Sequence, residues 1–218
     1  MINNFLDSIS KVYEFEFYVV DMRKVREKDL NLLSTLSEKE YNYLEELKIE
    51  KNKIQWISGR YAVKSALFKY KLERSALMDL SCVDIMKRED SSPYIVQYPG
   101  IHVSITHSFP YCIGLVSNRK IGIDLESIGE KKESLIRYFY ADAEKEFLER
   151  FQGTREYWQQ AMMFWTRKEA VSKLLRLGMR MDFRKLDTLD DEIVWDDCVI
   201  WLKSFVCGGF VVSIAREC

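Results

Sequence analysis

The chain has 218 residues, 47% hydrophobic and 13% aromatic, which is enough apolar material for a packed core and far from a disordered composition. A formal net charge of −1 gives no global reason to expect a nucleic-acid partner, and no stretch approaches the ~20 apolar residues of a membrane span. Residues 1–10 lack the basic-then-apolar build of a signal peptide, and five cysteines (Cys82, Cys112, Cys198, Cys207, Cys218) are an odd set with no CxxC pair. The expectation is a soluble cytoplasmic protein with free thiols, not a disulfide or zinc framework.

In chain order, residues 14–20 alternate charged and apolar side chains before running apolar, as a half-exposed strand does. Ser37 with Glu40 three residues on is a capping box that opens a helix to about Leu47. A second helix over about 51–70 carries Ile54, Ile57, Tyr61, Ala62 and Leu67 at helical spacing. Residues 51–74 hold seven basic side chains (Lys51, Lys53, Arg60, Lys64, Lys69, Lys71, Arg74) against Glu73, which reads either as a solvated helix face or as a surface for phosphates or an acidic protein. A strand-rich region begins near Leu80, residues 101–108 and 111–117 form a hairpin turning at Phe109-Pro110, and 121–126 is a further strand. Residues 127–132 read as a loop between halves, 134–138 and 141–151 as helices, and Thr154 as the N-cap of a long helix through Leu177 that Gly178 ends. Residues 199–206 and 210–215 flank Cys207-Gly208-Gly209, a hairpin whose glycines suit positive φ angles.

Residues 1–119 and 120–218 thus run in the same order: strand, helices, a long helix containing Ala-Val (Ala62-Val63 and Ala170-Val171), then paired strands. This predicts an α+β fold of two pseudo-duplicated α/β halves, each a small antiparallel sheet packed against a long helix.

Two runs carry chemistry. In Ile121-Gly122-Ile123-Asp124-Leu125-Glu126, strand alternation puts Gly122, Asp124 and Glu126 on one face, with the two carboxylates about 7 Å apart and repelling unless water or a cation intervenes. Such a pair is either two exposed edge-strand acids or half of a site for Mg²⁺, which takes one or two protein carboxylates beside waters and phosphates. In the second run, Trp165-Thr166-Arg167-Lys168-Glu169-Ala170-Val171-Ser172-Lys173, an apolar seam through Trp158, Met162 and Trp165 runs into Glu169 and Lys173. Those two are either an i,i+4 pair or, with Asp124 and Glu126, a metal site that leaves Lys173 to act near a phosphate. Removing one acid from a repelling pair is expected to leave the fold intact, so Asp124→Ala should fold.

The runs IGIDLE and WTRKEAVSK resemble the two signature motifs, (V/I)GID(I/L/V)E and W(S/T)xKEAxxK, of the 4′-phosphopantetheinyl transferases, and Glu126 and Glu169 stand 43 positions apart, in keeping with that family. The order, spacing and pseudo-duplicated chain are similar to the single-chain, surfactin-synthetase-activator type. The resemblance covers about residues 51–178. It implies the 4′-phosphopantetheinyl transferase fold and Mg²⁺ on Asp124, Glu126 and Glu169. By the same likeness coenzyme A meets Lys53, Arg60, Lys64, Thr106, His107, Ser108, Lys168 and Lys173, because Ser58-Gly59-Arg60 with Lys64 looks like the family's phosphate-binding helix and residues 104–108 like its (N/S)xSHS strand. The first half would then carry the coenzyme phosphate contacts, and the second the metal and the catalytic residues Glu169, Lys173 and Glu144, the last similar to a family glutamate proposed to take the serine proton.

Two departures stand out. Thr106 replaces the usual serine, and Ser91-Ser92-Pro93 replaces Gly-(Lys/Arg)-Pro, which implies either weaker coenzyme binding or a substitute charge from Lys87 or Arg88. The implied reaction moves the phosphopantetheine arm of coenzyme A to a serine of an apo acyl- or peptidyl-carrier protein, with no nucleic acid or membrane involved and a pseudo-twofold monomer as the agent. Rival readings are a metal-dependent hydrolase of coenzyme A or nucleotide pyrophosphates, a coenzyme-binding subunit without activity, and a Ser104–His107–Asp124 hydrolase triad, which lacks a GxSxG elbow.

Overall fold

The computed structural model describes residues 1–72, 79–129 and 133–218. Glu73 and Arg74 of the basic run and residues 130–132 of the loop lie outside the described residues. The chain divides into two compact units, residues 3–119, and residues 120–218 together with Met1 and Ile2. Among the described residues no helix is long and apolar enough to cross a membrane.

In the N-terminal unit α1 (Ile2–Ser10) leads to β1 (Phe15–Asp21), α2 (Leu30–Leu33), α3 (Glu38–Glu46) and the long α4 (Glu50–Leu72), followed by β2 (Ile85–Lys87), β3 (Pro93–Ile95), β4 (His102–Ser108) and β5 (Tyr111–Ser117). The antiparallel sheet has the order β1-β5-β4, with β2 and β3 a separate hairpin. The capping box at Ser37 is present in both directions, Glu40 N–H to Ser37 Oγ at 3.3 Å and Ser37 N–H to Glu40 Oε2 at 3.0 Å. Val63, Ala66 and Leu67 of α4 pack on Val116 of β5 and on Ile85 and Ile95 of the hairpin.

The C-terminal unit runs β6 (Ile121–Ser127), α5 (Ser134–Phe139), α6 (Asp142–Glu149), α7 (Arg155–Leu175), β7 (Glu192–Trp195), β8 (Cys198–Cys207) and β9 (Phe210–Glu217). Its sheet has the order β6-β9-β8-β7. Apart from the added edge strand β7, this repeats the first topology: the first strand of each unit pairs with its last, and the last pairs with the strand before it. The pseudo-duplicated α+β fold is therefore present.

Local signals differ from expectation at three places. Thr154 makes no side-chain cap; its hydroxyl donates to the Phe151 carbonyl at 2.7 Å. Helix α7 stops at Leu175 because Arg176 takes the left-handed conformation (φ 58°), and Leu177 N–H closes on the Ser172 carbonyl at 3.0 Å, a Schellman-type end that leaves Gly178 in the following 3₁₀ turn. Helices α1 and α2 and strand β7 are additions to the expected elements; α1 is held by burying Phe5 and Leu6.

Both units use a glycine where strand meets long helix. A Cβ on Gly114 would lie 2.4 Å from the Val63 nitrogen, and one on Gly122 would lie 2.0 Å from the Ala170 carbonyl oxygen and 2.7 Å from the Leu174 nitrogen. The obstacle in each case is backbone, which cannot step aside as a side-chain tip can. Gly122→Ala is therefore expected to lower unfolding free energy in urea by roughly 3 kcal/mol or more, while Gly100→Ala, whose Cβ meets nothing within 4 Å, stays within about 0.5 kcal/mol of the parent.

Candidate active site

Strand β6 and helix α7 bring the two chemical runs of the sequence together. Asp124, 5% exposed, faces α7 from the strand, and Lys173 reaches across to it. The Lys173 ammonium donates to Asp124 Oδ1 at 2.7 Å and to the Ile123 carbonyl at 3.1 Å. Its ion-pair partner is thus the strand acid, not Glu169 one turn away, and it is not standing free. Glu169 is half-buried on the same side of α7. Burial, then the neighbouring Asp124 and, more weakly, Glu126 push its carboxyl up to about 7, with Lys173 opposing.

The three acids therefore share one electrostatic neighbourhood, yet they do not close around one point: among the described residues no group of three His, Cys, Asp or Glu side chains is arranged to hold a metal ion. As a donor set they fit a hard divalent cation. All their ligand atoms are carboxylate oxygens, and the repulsion from Asp124 and Glu126, which adds to burial in raising Glu169, is what a 2+ charge would relieve. The pairing of Asp124 also corrects the expectation for Asp124→Ala, which would strip a partly buried lysine of its partner; Asp124→Asn keeps an acceptor there.

Three other expected site residues have different work. Glu144 is 0% exposed; it accepts the Ala141 N–H at 2.9 Å, the Thr188 N–H at 3.0 Å and the Thr188 hydroxyl at 2.6 Å, and meets Lys168 Nζ at 2.8 Å. Lys168, also 0% exposed, donates to the carbonyls of Phe183 (2.8 Å) and Leu186. Lys64, likewise 0% exposed, meets Glu40 at 2.5 Å and donates to the carbonyls of Thr35 and Leu80. With every ammonium proton and carboxylate lone pair engaged inside the protein, Glu144 is withdrawn from the role of serine base, and Lys64 and Lys168 from phosphate contact. Charged residue types usually lie outside, so the sequence alone placed them there.

The N-terminal unit carries its own cavity of about 340 Å³, lined among others by Trp56, Arg60, Lys87, Ser91, Pro93 and His107. Arg60 is 7% exposed, stacks on Trp56 with its guanidinium carbon 4.5 Å from the ring centroid, and its Nε, 3.9 Å from Glu40 Oε1, has no hydrogen-bond partner among the described residues. A buried guanidinium with donor capacity to spare suits an anion. Lys87 lines the same cavity beside Ser91 and Pro93, whereas Arg88 stacks over Tyr94 at 4.5 Å; of the two candidate substitutes for the missing basic residue, Lys87 is the one at hand. His107 is exposed and lines the cavity, while Thr106, 3% exposed, faces the other side of β4 and is taken out of ligand reach by strand alternation. Ser108, half-buried, alternates onto the Thr106 side, and Lys53 is engaged by Glu27 at 2.6 Å. Ser104, buried, and His107, exposed, lie on opposite faces of β4, so no nucleophile–base pair forms there.

A folded-state carboxyl near 7 against an ordinary unfolded value makes a signed stability prediction. The contribution of Glu169 is full below the unfolded carboxylate range and is lost as pH rises through about 7. In EDTA the melting temperature should fall from pH 5 to pH 8, Glu169→Gln should remove most of that fall, and Mg²⁺ should restore the parent at pH 8 but not the variant. A variant with the parent's full pH slope would contradict the electrostatic account.

Residues 120–195 match the family model of the 4′-phosphopantetheinyl transferase superfamily. Among solved structures the chain is similar to a holo-(acyl-carrier-protein) synthase from Bacillus anthracis in complex with CoA (3′,5′-ADP), at 20% identity over 48% of this chain and 93% of that one, TM-score 0.40. It is similar also to the Thermotoga maritima holo-[acyl-carrier-protein] synthase (23% identity, 58% and 74% covered, TM-score 0.39) and to the Helicobacter pylori holo-[acyl-carrier-protein] synthase in complex with coenzyme A (20%, 47% and 97%, TM-score 0.37). No curated protein matches. The stretch that matches the family model runs from β6 to the end of β7 and contains both chemical runs of the sequence.

Proposed function

We propose that this chain is a cytoplasmic, monomeric 4′-phosphopantetheinyl transferase of the single-chain surfactin-synthetase-activator type, which moves the phosphopantetheine arm of coenzyme A to a serine of an apo acyl- or peptidyl-carrier protein. The observation that carries the reading is the convergence of both signature runs on one spot, where Lys173 of α7 contacts Asp124 of β6 with Glu169 beside them. The family match over residues 120–195 supports it independently of that geometry.

In the reaction the partner's serine oxygen bonds to the β-phosphorus of coenzyme A as the bond to the departing 3′,5′-adenosine bisphosphate breaks and the serine proton passes to water, so the protein's task is positioning and charge neutralisation. Asp124, Glu126 and Glu169 would hold Mg²⁺, which when bound supplies positive charge to the pyrophosphate oxygens. Lys173 lies against Asp124 and brings an ammonium to the same place. In the N-terminal unit Arg60, Lys87 and His107 offer cationic and polar groups suited to a phosphate-bearing nucleotide.

Intact-mass analysis of several apo-carriers incubated with coenzyme A, with and without Mg²⁺, tests the proposal. The expected result is the mass gain of one phosphopantetheine, dependent on Mg²⁺ and slowed by roughly 10²-fold or more in Asp124→Asn. Release of phosphopantetheine to water without a carrier would make the protein a hydrolase, and coenzyme binding with no transfer to any carrier would make it a binding subunit. Full modification by Asp124→Asn would remove the assignment of the acids.

A further inference from the structure

Each unit contains a fully buried lysine–glutamate pair, and the two are built alike. Glu40 is the third residue of α3 and Glu144 the third of α6. Each accepts the N–H three positions before it (Ser37, Ala141) and a distant N–H further along the chain (Ile85, Thr188). In each unit the lysine stands 24 positions after the glutamate, in the middle of the long helix, and donates to two backbone carbonyls besides its glutamate. The match continues outward. Five positions past each buried lysine is another, Lys69 and Lys173, and each donates to a carbonyl of its unit's first strand, Phe17 at 3.3 Å and Ile123 at 3.1 Å. Next to the buried lysine the copies part: Ser65 in α4 stands where α7 has Glu169.

We propose that Glu144 and Lys168 are positioning residues, which fix the rotation of α7 about its own axis and so aim Glu169 and Lys173 at β6. Helix α7 is apolar on much of its circumference, with Ala161, Met162, Phe164, Ala170, Val171 and Leu174 all buried, so hydrophobic burial discriminates poorly between rotations. A buried ammonium with three fixed acceptors does discriminate. One residue's turn is about 100°, and it would leave Lys168 charged, buried and without acceptors. Buried ion pairs contribute little net stability compared with well-packed apolar residues, so a specifying role accounts for this one better than a stabilising role. The Glu40–Lys64 pair is the built-in control, because it has the same construction but lies in the helix that carries Arg60.

The inference rests on the proposed transfer only for its chemical meaning, and the test separates the two. In the full chain, Lys168→Met/Glu144→Gln is compared with Lys64→Met/Glu40→Gln, reading the rate at which an amine-acylating reagent labels Lys173, located by mass spectrometry, and the Mg²⁺ midpoint of the melting-temperature shift. Both doubles should melt lower, because each leaves two backbone carbonyls without their donor. Only the first should label Lys173 at least fivefold faster and move the Mg²⁺ midpoint at least tenfold. Lys168→Arg, which keeps the charge but changes its reach, serves if the double fails to fold, with the same direction expected. Parent-like labelling in folded Lys168 variants, or equal changes from the Lys64 double, overturns the inference. A parent with no Mg²⁺ response and no transfer overturns the proposed function instead, while the labelling still decides the positioning role.

Discussion

Where β6 runs beneath α7, Gly122 lets the strand backbone come against the Ala170 carbonyl, at a separation that excludes even a methyl group. Two residues on, the same strand face offers Asp124, and it is this closeness that lets the Lys173 ammonium bond both the acid and the backbone carbonyl before it. A wider spacing would hand Asp124 to water and leave Lys173 to pair along its own helix. The contact between a side chain that is missing and a helix backbone therefore governs which charges meet.

Charge balance follows from that geometry. Three carboxylates and one ammonium do not balance, and at Glu169 burial first, and then the neighbouring Asp124, hold the proton into the neutral range. A neighbourhood that tolerates such a deficit stays open to a cation or a protonated state, unlike the buried Glu144–Lys168 pair, where one acid and one base cancel and every lone pair is engaged.

Much of this was legible in the residues. The Ser37 capping box, the Gly208-Gly209 hairpin and the alternation of 121–126 are local devices that survive folding, whereas the Thr154 cap and the Gly178 stop do not. The basic run was not readable in the same way. Lys53 turns to Glu27, Lys64 goes inside to Glu40, and Lys69 and Lys71 lie over the aromatic rings of Phe17, Tyr18 and Tyr98, so the charges do not add into one patch. Whether a lysine faces water or carbonyls depends on contacts from distant segments, such as Leu80 for Lys64 and Phe183 for Lys168. One signal was available and unused: a third-position helix glutamate followed 24 residues later by a lysine, occurring twice.

The doubled scaffold has a bearing on how such a chain diverges. It lets one copy hold side chains that its sibling lacks: α7 has Glu169 where α4 has Ser65, while the cavity beside Arg60 belongs to the first unit. The family match, which begins at residue 120, falls on the copy that carries the acids.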